Sequence, residues 1–146
     1  MTNYPDLQPQ KFIVHDDGTN APIIHQHTIA RLTAKLYPFY EKGAIAYEPL
    51  PEMMVGEYNS PVPDIILYDY DTEQAQVIIE VAHIKGFKSD LKKVIDLIDE
   101  ELYGIREGFV YNYKTNYWLR YRKGDGGVAT ESSFSEVLQL DLGPFV

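Results

Sequence analysis

The chain predicts an α/β fold, a mixed β-sheet flanked by helices, and three observations carry that expectation. The elements run helix, strand, hairpin, helix, strand, strand. Two Ile-, Val- and Tyr-rich runs, Ile65 to Tyr70 and Ala75 to His83, are divided only by a short polar stretch around "DTE". That stretch is too short for a parallel crossover, so the two runs form an antiparallel hairpin. The segment "SDLKKVIDLIDEELYG" then places Leu91, Val94, Ile95, Ile98 and Leu102 on one helical face.

Residues 1–22 carry Pro5, Pro9, Pro22 and the turn-like "HDDGTN". They read as an arm with one short strand at Lys11 to His15, ahead of a single domain over 23–146. From Ile23, apolar positions at Ile29, Leu32, Leu36 and Phe39 mark the first helix, which Gly43 ends and Pro38 kinks. The first strand follows from Ala44, and Pro49 and Pro51 argue against a central strand beyond Glu48. After the hairpin, Ser89 is the expected N-cap of the second helix and Gly104 its stop. Two strands joined at "NYKTN", a glycine turn at "GDGG" and an amphipathic tail complete the chain.

A length of 146 residues suits one domain, which buries roughly two-thirds of its unfolded surface. The absence of cysteine excludes disulfides, thiolate metal sites and a Cys nucleophile. Together with a start lacking a basic or apolar leader, it leads to the expectation of a soluble, cytoplasmic protein. Asp and Glu number 22 against 13 Lys and Arg, a formal charge of −9, which repels nucleic acid at long range. The "GDGG" turn lacks the Lys-Ser and helix of a phosphate loop, and no serine-centred elbow or dinucleotide fingerprint occurs. "RYRK" at 120–123 could contact a nucleic-acid backbone or be a solvated strand face.

Inside the hairpin stand two carboxylates, Asp64 and Glu80. If the hairpin loop is odd and centred on Thr72, opposed residues sum to 144. Tyr68 then faces Gln76, Ile66 faces Ile78, and Asp64 faces Glu80. Opposed residues hold their Cβ atoms about 5 Å apart, so two like charges there ask for a proton or a cation between them. An even loop would move Glu80 to the other face. Hard oxygen ligands suit Mg²⁺ or Mn²⁺, ions that activate water toward a phosphodiester.

"Pro63-Asp64", about fifteen residues, then "Ile79-Glu80-Val81" resembles the PD-(D/E)xK nuclease superfamily with its restriction-endonuclease-like fold. The chain is similar to a broad group of bacterial proteins of that fold through His27, Pro63-Asp64, Glu80-Val81, Asp90, Lys92-Lys93 and the ending "FSEVLQLDLGPF". The resemblance implies a metal-dependent endonuclease acting on DNA. Asp64 and Glu80 would hold the metal with the Val81 backbone carbonyl, and a lysine would sit two residues after the glutamate. Ala82 occupies that position.

Three lysines are candidate replacements. Lys85 lies on the opposite alternation from Glu80, while Lys92 and Lys93 begin the second helix, where the resembling group carries a lysine. Lys93 is favoured, with Lys92 next. His25 and His27, two apart, do not share a helical face, and capping or surface roles suit them. The resemblance gives His27 a supporting position behind the metal ligands. Glu48 is a further carboxylate that could approach the site from the first strand. A Tyr-rich surface suits a homodimer presenting two sites to two DNA strands. The alternative reading is a nuclease-like domain that no longer cuts and serves as a binding or assembly module, suggested by Ala82 and the acidic charge.

Overall fold

The computed structural model describes residues 21–57, 59–83 and 86–146. The strand expected at Lys11 to His15 and the candidate Lys85 lie outside them. Helix α1, Ala21–Glu41, buries Ile29, Leu32 and Leu36 against the sheet. Pro38 falls in its last turn, and Gly43, at φ 80°, closes the helix by donating its N–H to the Tyr40 carbonyl. Only a glycine adopts that left-handed conformation without strain.

Six strands form one sheet in the order β1-β2-β3-β4-β5-β6. They are β1 (Glu48–Pro51), β2 (Ile65–Asp69), β3 (Gln74–Ala82), β4 (Glu107–Asn112), β5 (Tyr117–Arg122) and β6 (Thr130–Glu131). Strands β3 and β4 pair in parallel across helix α2, Phe87–Asp99, and the other pairs are antiparallel. A small hairpin, β7 (Phe134–Ser135) with β8 (Leu140–Asp141), and a short 3-10 helix end the chain. Ser135 Oγ and the Glu136 N–H both donate to the buried Glu107 carboxylate, which ties this ending to β4.

The first strand departs from expectation, since it contains both prolines. It is the sheet edge, and the Glu52 N–H donating to the Asp64 carbonyl fixes the phase of the ladder. Even-numbered residues aim their amides at β2, so Pro49 and Pro51 fall where the missing N–H would have faced outward. No ladder bond is lost, and the edge is blunted against pairing with another chain.

Side chains of β3 alternate between two cores, so nearly the whole strand is buried. Val77, Ile79 and Val81 join Ile65, Leu67 and Phe109 beneath α1. Ile78 and Ala82 join Ile66, Val110 and Tyr121 beneath α2, which contributes Val94, Leu97 and Ile98. Gly108 on β4 lets α2 approach closely, because a Cβ there would lie 2.4 Å from Val94 Cγ1.

The N-cap of helix α2 falls three residues before the expected Ser89. Gly86 is its N-cap without a side-chain hydrogen bond, and Ser89 Oγ instead donates back to the Gly86 carbonyl. The helix also stops at Asp99, which leaves Leu102 exposed rather than on the apolar face.

The hairpin register needs a correction. Ile65, Ile66 and Leu67 pair with Ile79, Ile78 and Val77, as expected, but Tyr68 pairs with Ala75 and Asp69 with Gln74. The connection is therefore even, and a bulge at Gln76 restores the register on the site side. The turn is held by the Asp69 carboxylate, which accepts from the Asp71 N–H, Thr72 Oγ1 and Gln76 Nε2.

Candidate active site

The site lies at one end of the sheet, where β2 begins, β3 ends and α2 starts. Beyond the Ile65–Ile79 pair, each carboxylate accepts a backbone N–H from the other strand. The Asp64 N–H donates to Glu80 Oε2 at 2.8 Å, and the Val81 N–H donates to Asp64 Oδ2 at 2.7 Å. His25 Nε2, from the first turns of α1, donates to the same Asp64 oxygen at 3.1 Å. The Lys93 ammonium, from α2, forms an ion pair with Glu80 Oε1 and reaches the Val62 carbonyl at 3.5 Å.

Glu80 is almost completely buried, at 2% exposure. Burial first, and then the neighbouring Asp64 charge, push its carboxyl up from 4.5 to about 7, against the pull of Lys93. Asp90 on α2 is also pushed up, by burial and by the Asp64 charge, while Lys93, His25 and His83 oppose the shift. Asp64 and Lys93 thus act on both raised acids, and His25 and His83 act on Asp90.

Alternation fixes where the Val81 carbonyl points. The Gln76 and Ala82 carbonyls accept from the Arg106 and Tyr113 N–H groups of the β4 side, so even residues of β3 bond toward β4. Odd residues, including Val81, aim both amide groups toward β2. Continuing the observed register sets Val81 opposite Pro63, which has no N–H to donate. The Val81 carbonyl therefore has no ladder donor from that residue.

Of the residues singled out in the sequence, Asp64, Glu80, Val81 and Lys93 are brought together. Lys92 is not: its ammonium pairs with Asp96 Oδ2 at 2.6 Å, one helical turn along the exposed face. Glu48 is not either. Its carboxylate accepts from the Tyr37 and Tyr70 hydroxyls, and it pairs opposite Tyr68, about 13 Å along the strand from the level of Asp64. Glu52 is the β1-side carboxylate opposite Asp64, and it accepts from Gln26. His27 is exposed, and His25 makes the contact in its place.

The signal for His25 was present in the helix phase. Positions 25, 29, 32 and 36 form one stripe, and Ile29, Leu32 and Leu36 are buried against the sheet. His27 falls off that stripe. Asp90, already among the residues that carried the resemblance, is the first-turn acid of α2. Among the described residues, no three His, Asp or Glu side chains converge as a metal cage. The arrangement offers two carboxylates and one backbone carbonyl.

No protein-family model and no curated protein matches the sequence. Solved structures do match in shape. One is the crystal structure of "a putative nuclease belonging to DUF820" from Anabaena variabilis ATCC 29413, with a TM-score of 0.56 and 11% identity over 79% of this chain and 78% of that one. Another is the type IIG restriction endonuclease BpuSI, with a TM-score of 0.51 and 15% identity. That match covers 73% of this chain and 12% of the enzyme. Among the described residues, no helix is long and apolar enough to cross a membrane. The six-stranded mixed sheet, its two helices and these neighbours identify a restriction-endonuclease-like fold.

Proposed function

We propose that this chain is a Mg²⁺- or Mn²⁺-dependent deoxyribonuclease. The observation that carries the reading is Lys93. Its ammonium reaches Glu80 from α2 and supplies the cation that Ala82 cannot, beside two carboxylates that are each held by a backbone N–H of the other strand. The residues fit the ion by the chemistry of their donors. Asp64, Glu80 and the Val81 carbonyl are hard oxygens, and a set of few protein ligands suits an ion that keeps several waters. Glu80, held up near 7 partly by the Asp64 charge, gains most from a cation between the two.

When bound, such an ion polarises a phosphodiester and acidifies the water that attacks it. The chain's own groups do the rest. The Val81 N–H and His25 fix the Asp64 carboxylate, and the Asp64 N–H fixes Glu80. Lys93 is close enough to stabilise charge growing on a phosphate oxygen. A homodimer would present two such sites to the two strands of a duplex, which sedimentation velocity tests.

One observation favours a second reading, a nuclease-like module that no longer cuts. The Lys93 ammonium is already paired with Glu80 Oε1, one of the oxygens a metal would use. The test is cleavage of plasmid DNA and oligonucleotides with Mg²⁺, with Mn²⁺ and with chelator. Divalent-dependent cleavage should be lost in Asp64→Ala and in Glu80→Ala. Cleavage unchanged in either variant would refute the assignment, and no saturable heat on titrating Mn²⁺ would favour the second reading.

A further inference from the structure

Between β1 and β2 the chain does not simply turn. The pairing that joins Glu48 to Tyr68 and Pro51 to Ile65 continues past the sheet with the same offset. The Glu52 N–H bonds the Asp64 carbonyl, the Val55 N–H bonds the Pro61 carbonyl, and the Gly56 N–H bonds Ser60 Oγ. Residues 52–57 and 59–64 therefore run back along each other as an irregular arm beyond the sheet. Met54 and Val62 lie two residues along the chain from the bonded Glu52 and Asp64, within about 7 Å of them. Met53, Met54 and Val62 are 48%, 41% and 44% exposed. The Val62 carbonyl is itself the group that Lys93 reaches.

A protein of charge −9 gains little from phosphate neutralisation over its whole surface, so a DNA substrate has to be gripped in another way. Apolar side chains serve that purpose only if they reach the faces of bases. In a duplex those faces are sealed in the stack, and opening a step costs a few kcal/mol. A single strand offers them freely.

We infer that the Met54–Val62 pair of this arm contacts nucleobases next to the phosphate at Asp64, and that the enzyme prefers single-stranded or unpaired DNA to intact duplex. This rests on the nuclease reading above. The test compares Mn²⁺-dependent cleavage of one oligonucleotide, alone and annealed to its complement, by the wild type and by a Met54→Ser/Val62→Ser variant. The wild type should cut the single strand at least about tenfold faster than the duplex. The variant should lose most of that preference through a raised KM on single strands, with kcat little changed. Both positions are exposed, and Val62→Thr gives a milder second variant should the double one fold poorly.

A wild type that cuts the duplex as fast as the single strand would overturn the inference and leave the nuclease reading standing. So would variants that keep the preference intact. A wild type that cuts neither would overturn both.

Discussion

Glu80→Gln isolates the most unusual electrostatic feature of the fold. Burial and the Asp64 charge push the Glu80 carboxyl up to about 7 in the folded chain, against 4.5 for a free glutamate. The folded pKa is the higher one, so between these values the native state keeps a proton that the unfolded chain has released. Stability therefore falls as pH rises through this window. The full penalty is present above about pH 7 and absent below about pH 4.5. At about 1.4 kcal/mol per pH unit, the gap amounts to roughly 3 kcal/mol. Lys93 and the Asp64 N–H are already included in that balance, since both act to lower the value. Glu80 is 3% exposed at the side chain, so solvent screening removes little of it.

Glutamine keeps an oxygen for the Asp64 N–H but cannot ionise. The variant should lose the Glu80 part of the pH dependence and gain stability relative to the wild type between pH 5 and pH 8. Urea denaturation with chelator at half-unit steps measures this, because shared contributions such as Asp90 largely cancel in the difference. Wild-type and variant curves running parallel across that range would show that Glu80 ionises normally. The raised value, set by burial first and the Asp64 charge second, would then no longer support a cation at Glu80.

Three further outcomes follow from the geometry. Lys93→Met should lower divalent-dependent cleavage by about a hundredfold, the usual cost of removing a charge-stabilising donor, whereas Lys92→Met should leave it within about twofold. Steady-state rates on one substrate compare them, and the reverse order would move the lysine role to Lys92. His25→Ala removes a donor from Asp64 and should weaken Mn²⁺ binding by about 10–100-fold in calorimetric titration, while His27→Ala should not. Gly108→Ala drives a Cβ to within 2.4 Å of Val94 Cγ1 and close to Ile78 and Ile98. It should cost at least about 1–3 kcal/mol in thermal or urea unfolding, and a neutral result would mean α2 packs less tightly on β4.

The apolar patterns carried most of the fold. Alternation in β2 and β3 and the stripe of α2 were visible because each element has a buried face whose period the sequence must follow. What escaped was phase relative to a neighbour. Nothing in "IIHQHTIARL" says which histidine faces the sheet until the buried stripe is traced back from Leu36 to position 25. Lys93 and Lys92 pose the same question on α2. Lys93 is one turn before the buried Leu97 and turns inward to Glu80, while Lys92 is one turn before the half-exposed Asp96. The first strand escaped because two prolines count against a strand only where both edges are paired, and β1 is paired on one.

The pairing of Asp64 with Glu80 was expected from an odd loop, and it arises by another route. Asp69 against Gln74 closes an even connection, and an unbroken ladder from that pair would set Glu80 opposite Pro63 and turn it toward the α1 core. The bulge at Gln76 inserts one residue and reverses the parity, so that Glu80 emerges beneath α2 within reach of Lys93. Gln76 is held in that role by its side chain. Its amide donates to Asp69 and Thr72 and its oxygen accepts from Arg106 Nε at 2.6 Å, which fixes the extra residue between the turn and β4. The acids of the site are thus set by a polar side chain more than a turn of strand away. Any substitution that frees the bulge to slip by one residue removes Glu80 from Asp64 and Lys93 together.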